Sequence, residues 1–188
     1  MVSYANPVAP TLPTAVGLDA EIQRLQLLLA ARLPWLAVSY GKAYRGSRKE
    51  GTKVLYFPEV YAGAREYRDV LPNDNVAAQS FFYPRDPAST GASEPGGPLA
   101  LSQTVDFVFW GNLERISPDK DYRSDAELLA ELLAVLSDGG ALVQRVYTSP
   151  EEVFRGFSVD TVAEQVLRQP YAGFRVQLEL FVGNVLPC

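Results

Sequence analysis

An α+β fold is what this chain predicts, on three observations: a strand followed by a capped amphipathic helix between Thr104 and Leu136, a second amphipathic helix near the N-terminus, and a regular strand at the C-terminus. In the first, Val105, Phe107 and Phe109 alternate with Thr104, Asp106 and Val108, the period of two of a sheet strand with one buried face. Leu128, Leu129, Leu132, Leu133 and Leu136 then form one broad apolar stripe on a helix. Ser124 precedes Glu127 at capping-box spacing. Gly139 and Gly140 supply a C-cap in which left-handed backbone costs least. The link from Gly111 to Tyr122, with Pro118, Asp119 and Asp121, is expected to be an exposed loop.

In chain order, residues 1–17 carry Pro7, Pro10 and Pro13 and predict an extended N-terminal arm, followed by a single α+β domain over 18–188. The arm, from Tyr4 to Leu12, and the 84–100 loop are expected to become ordered only on assembly. A helix spans Leu18 to Arg32, with Leu18, Ile22, Leu25, Leu28 and Leu29 on its apolar face and acids at its start, and Pro34 ends it. Trp35–Arg45 and Lys53–Val60 predict a hairpin with its tip at Gly46–Thr52, and Pro58 marks the return strand as an edge or a strand end. A short extended piece near Tyr67–Val70 and a strand over Val76–Tyr83 follow. Residues 84–100, with four prolines and three glycines, predict a long flexible loop. Ala141–Tyr147 is a short strand, and Ser149-Pro150-Glu151-Glu152 has the order of a helix start whose turn ends near Gly156. Asp160–Arg168 predicts a further short helix stopped by Pro170. In the last strand Phe174, Val176, Leu178, Leu180 and Val182 face one way and Arg175, Gln177 and Glu179 the other.

The 188 residues suit one domain with a real core, and 47% hydrophobic with 21% charged residues is an ordinary globular balance. No apolar run reaches the roughly 18 residues of a membrane helix, and the N-terminus has neither the charged nor the apolar region of a signal peptide. The expectation is a protein made in the cytoplasm, without a membrane partner. A net charge of −5 argues against duplex DNA as a partner. The basic cluster Lys42, Arg45, Arg48, Lys49 and Lys53, interleaved with Tyr40 and Tyr44, is either a solvated hairpin end or a contact with nucleic acid or an acidic partner.

There is no histidine and one cysteine, Cys188, at the last position. The commonest general base, the usual triads and most zinc sites are thereby removed. Glu127 and Glu131 share a helix face, as a solvated surface also requires. Asp119, Asp121 and Asp125 alternate without the glycine and glutamate of a calcium loop. The glycines of GASEPGG lack the strand and helix of a phosphate loop, and Ser39, Ser80 and Ser102 have no base. No catalytic, cofactor or metal residue is assigned. The ten tyrosines and nine phenylalanines, many beside arginines, suit either subunit contacts or a plain sheet core.

The order of a leading amphipathic helix, a hairpin opening YGKAYR, the strand VDFVFW, the helix SDAELLAELLAVL and a last strand after PYAGFRV is similar to the tail terminators, or tail-completion proteins, of long-tailed phages and prophages. The segments FPEVYAGAREYRDVLPNDN and EEVFRGFSVDTVAEQVLRQPYAGFR resemble structural proteins of Bacteroidota phages. The resemblance covers most of the chain and rests on aromatic and turn-forming motifs. It implies two main helices on an antiparallel sheet and a non-enzymatic virion subunit at the head-proximal end of the tail. That subunit forms a homohexameric ring that ends the tail tube, meets the tail tube protein and the head–tail connector protein, and lets DNA pass without specific binding. The longer front part and the 84–100 stretch depart from that pattern. The alternatives are a neck-connector or tail-tube subunit, a carboxylate-only glycan hydrolase with two acids facing across a cleft, and an adaptor for a host protein.

Overall fold

The computed structural model describes residues 9–72, 76–85, 88–92, 99–118, 125–159 and 167–182. The architecture is α+β: helices packed on one mixed sheet with strand order β3-β2-β1-β4-β6-β8-β7, to which β5 adds by pairing with β6. In chain order the elements are α1 (Leu18–Arg32), β1 (Val38–Glu50), β2 (Lys53–Gly63), β3 (Glu66–Asp69), β4 (Ala78–Pro84), β5 (Ser89–Ala92), β6 (Leu99–Asn112), α2 (Leu113–Ile116), α3 (Asp125–Asp138), β7 (Leu142–Tyr147), α4 (Pro150–Val153) and β8 (Tyr171–Val182).

The strand of the VDFVFW stretch is the centre of the sheet. β6 is 14 residues long and pairs with β4 and β5 on one flank and β8 on the other, all antiparallel. The sheet's parallel contact is β1 with β4, where Ser39 lies beside Ser80. Val105, Phe107 and Phe109 of β6, with Phe174, Val176 and Leu178 of β8, face Leu25 and Leu29 of α1 and Leu132 and Leu136 of α3 in the main core. Phe109 stacks on Phe174 with ring centroids 5.3 Å apart, and Trp35 meets Phe109 edge-on at 5.5 Å. Both helices present the leucine stripe that their sequences spell.

The helix ends are also those expected. Leu33 N–H bonds back to Leu29 O before Pro34. At the end of α3, Gly140 has φ +78°, its N–H donates to Ser137 O, and Ala141 N–H donates to Leu136 O. That is a Schellman closure, with Ala141 buried as its apolar contact. Arg24 of α1 donates to Gly139 O at 2.6 Å, placing a cation on the carbonyl end of α3. Asp125 starts α3; Ser124, the capping partner of Glu127, lies outside the described residues.

Several expectations are corrected. The 84–100 stretch contains β5, which lies end to end with β4 along the same flank of β6: Pro84 stands opposite Val105, and Ser89 opposite Ser102. Small residues of Ser-Thr-Gly-Ala suffice there because β6 supplies the ladder. The β1–β2 tip is shorter than expected, only Gly51 and Thr52, since the pairing runs on to Glu50 opposite Lys53. The Gly111–Tyr122 link begins with the turn α2, capped by Asn112 Oδ1 accepting from Arg115 N–H. The arm expected to order on assembly is already held in the single chain from Ala9 to Leu12: Ala9 is buried, and Leu12 N–H donates to Gln23 Oε1. Its residues before Ala9, and most of the helix expected over Asp160–Arg168, lie outside the described residues.

Pro58 is neither at an edge nor at a strand end, because β2 runs on to Gly63 with β1 on one side and β3 on the other. Val70 N–H donates to Pro58 O, so proline's missing N–H would have met Val70 O. The buried Gln79 amide donates to Val70 O instead, at 2.7 Å, which leaves no orphaned acceptor.

The largest correction concerns the second face of the sheet. The alternation in β6 and β8 predicts one open face, yet β6 is buried on both faces from Val105 to Asn112. A second layer covers it: Val153 and Phe154, in and just after α4, with partly buried Phe157, pack with Phe81, Val108 and Trp110. Serine 158 then ties this strap to β2, with Ser158 N–H donating to Tyr56 O and Tyr56 N–H to Ser158 Oγ.

Candidate functional site

Under that strap lies a cluster of charges that the sequence pattern assigned to a solvent face. Arg175 of β8 is 1% exposed and Asp106 of β6 is 3% exposed. Arg175 Nη2 donates to Glu152 Oε2 of α4 at 2.6 Å, its guanidinium lies 4.2 Å from the Tyr147 ring centre, and its Nη1 stands 3.7 Å from Asp106 Oδ2. Arg85, just after β4, donates through Nε to the same Asp106 oxygen at 2.6 Å. Arg155 closes the outside of the cluster at 3.6 Å from Glu152. Asp106 Oδ1 and the Nε and Nη1 of Arg175 have no hydrogen-bond partner. Burial pushes the Asp106 carboxyl above its ordinary value, and Arg85 and then Arg175 offset only part of that. The cluster latches α4 to the sheet; it offers no open reacting surface.

A second polar junction joins α1 to the hairpin. Lys42 Nζ donates to Asp19 Oδ1 at 2.9 Å. Burial acts to lower the Lys42 pKa, but Asp19 and Tyr44 together outweigh it and raise the value. Tyr40 is raised by burial, with Arg68 over its ring pulling the other way and donating to its hydroxyl.

The residues weighed from the sequence fall as follows. Glu127 and Glu131 are exposed on α3, and Glu131 Oε2 accepts from Trp35 Nε1 at 2.7 Å. Asp119 and Asp121 lie outside the described residues, while Asp125 Oδ1 accepts from Ala126 N–H at the start of α3. Ser39 and Ser80 are buried together with hydroxyls 3.4 Å apart, and Ser102 sits in β6. Cys188 lies outside the described residues. Among the described residues no three Asp, Glu or Cys side chains converge to hold a metal.

Two acids do stand opposite each other, Glu59 and Asp69 in the β2–β3 register. Asp69 is exposed and its carboxylate accepts from Leu71 N–H, and neither acid lines either of the cavities that follow. One of these, about 150 Å³, is bounded by Leu113, Asp125, Thr148, Gln169, Tyr171 and Phe174. The other, about 30 Å³, lies between the arm, α1 and the hairpin. Both are below the roughly 300 Å³ at which small-molecule sites begin, and each holds one acid.

The surface is more distinctive than the interior. The sheet ends in two unlike strands. β3, Glu-Tyr-Arg-Asp, is exposed at every residue. β7, at the other end, exposes Leu142 at 51% and Val146 at 37%, with Phe181 of the adjacent β8 at 55%. Comparison with protein-family models, with curated proteins and with solved structures finds no match to this chain.

Proposed function

We propose that this chain is a virion structural subunit, a tail terminator that assembles into a ring, most simply a hexamer, at the head-proximal end of a phage tail. It does its work by fit: copies pair around the ring, one face meets the tail tube protein, and the other meets the head–tail connector protein. The observation that carries the reading is the β7 edge, unpaired among the described residues, with Leu142, Val146 and Phe181 at the surface. A strand end presents unpaired backbone donors and acceptors, and exposed apolar side chains beside them favour pairing with another chain. The unlike strand at the other end of the sheet suits head-to-tail contacts, which close into rings when the rotation permits. The paired α1–α3 layer and the latched strap suit a rigid part.

Light scattering after size-exclusion chromatography, with electron microscopy of negatively stained particles, tests this in the presence and absence of a tail tube protein. Rings alone, or rings seated on tube ends, are the expected result. A chain that stays monomeric at every concentration and never binds tubes refutes it.

A further inference from the structure

We infer that one face of the β1–β2 hairpin is the contact by which a copy of this chain grips the acidic surface of the next copy. The inference rests on the ring reading and names the surface that would build it. Beyond Lys42, β1 no longer pairs with β4, and past the end of the β3 pairing at Glu59 the hairpin continues as a two-stranded ribbon whose β2 edge is held at Tyr56 by Ser158. One face of this ribbon is packed, with Gly46 and Leu55 buried, and two strands gain from a second contact on the other face. The register places Arg45, Ser47 and Lys49 of β1 on the same face as Tyr56 and Val54 of β2, and all five are exposed. The Arg45 guanidinium carbon lies over Tyr56, 3.8 Å from the ring centre. That face carries no acid. Among the described residues Arg45 and Lys49 have no carboxylate partner; on the opposite face Lys53 stands across from Glu50, which is paired with Arg48.

The charge distribution chooses the occupant. Residues 42–53 hold five of the 17 lysines and arginines and a single acid, a net +4 in a chain of net −5, so the remainder carries −9. Two uncompensated cations on one face are too few for a duplex, whose binders make about 6–10 phosphate contacts in typical strongly salt-dependent cases, and the acidic remainder would repel it. An arginine stacked on tyrosine beside an exposed valine is instead the composition of a protein contact. The complementary surface on a second copy is α3, which carries Asp125, Glu127, Glu131 and Asp138 and no lysine or arginine, although Asp138 meets Arg32 and Glu131 accepts from Trp35 of its own chain. Opposed charges of this kind set register and speed encounter.

The test uses the full chain and follows its mass by sedimentation velocity at salt from about 50 to about 500 mM. Wild type is expected to associate, with an association constant falling at least about tenfold across that range. Arg45→Glu/Lys49→Glu is expected to remain monomeric while keeping wild-type circular dichroism and a melting temperature within about 4 °C of wild type, the effect of losing the Arg45–Tyr56 contact. Glu127→Arg/Glu131→Arg is expected to lose association likewise, and combining both pairs in one chain is expected to restore it. Association unchanged by the hairpin pair overturns this inference and leaves the ring reading standing. No restoration in the combined variant overturns the α3 assignment and with it the inference. A labelled DNA duplex whose binding is lost in the hairpin pair also overturns it, in favour of a nucleic-acid contact. A wild type that stays monomeric and ignores tubes overturns the ring reading as well.

Discussion

Replacing the fully buried Arg175 is expected to cost less than replacing the partly exposed Arg85, and the reason is in the hydrogen bonds. Arg175→Met removes one charge-assisted bond to Glu152, worth about 1.5–3 kcal/mol when both groups are buried. The Glu152 side chain is 37% exposed, so its carboxylate regains water and the low end applies. Loss of the Tyr147 contact adds about 0.5–1 kcal/mol. Against this, the variant no longer buries two guanidinium nitrogens, Nε and Nη1, that lack a hydrogen-bond partner, each costing about 1–3 kcal/mol. Asp106 keeps Arg85, so no carboxylate is stranded. The net change is within about 1.5 kcal/mol of wild type. Arg85→Met has the opposite balance: Asp106 loses its one direct hydrogen bond while remaining buried, a loss of about 3 kcal/mol at neutral pH. That deficit narrows in acid, because a carboxylate whose folded pKa is raised binds its proton more tightly in the folded chain. Urea unfolding followed by the fluorescence of Trp35 and Trp110, at neutral and mildly acidic pH, measures both variants. A loss above about 3 kcal/mol for Arg175→Met together with a harmless Arg85→Met would refute the reasoning and mean that the unpaired groups are satisfied by bound water.

Asp106→Asn isolates the pH dependence of that group: its raised folded pKa means stability present in acid and lost as pH rises through that value. The stability of wild type minus that of the variant should therefore fall as pH rises from about 4, and a rising difference contradicts the assignment. The β2–β3 turn places two residues with side chains, Ala64 at φ +49° and Arg65 at φ +68°, where asparagine and glycine are preferred. Ala64→Asn/Arg65→Gly is expected to raise stability by about 1 kcal/mol in denaturant unfolding, after the added freedom of glycine in the unfolded chain is subtracted. Leu132→Ala, at a fully buried site between α3 and the sheet, is expected to lower stability by about 2–5 kcal/mol in the same assay.

Sequence alone determined the elements whose reasons are local. The leucine spacing of α1 and α3, the stop before Pro34, the glycines that close α3, the alternation of β6 and β8 and the proline start of α4 each depend on residues within a turn or two of one another. Aromatic and turn motifs carried the functional expectation, and they hold no catalytic geometry to check. Only the tertiary structure decided what lies on the far face of the sheet. Arg175 alternates with Phe174 and Val176, and the period of two says that it faces away from the core; it does, but α4 and Phe154 come back over that face and bury it. Likewise a Pro-Gly-rich stretch holds β5 because a strand 14 residues long offers it a ladder, and Pro58 is tolerated inside the sheet because Gln79, 21 residues away, bonds the carbonyl it leaves free. Periodicity reports which way a side chain points relative to its own strand. What covers that side is set by segments distant in the chain, through contacts that no local pattern encodes.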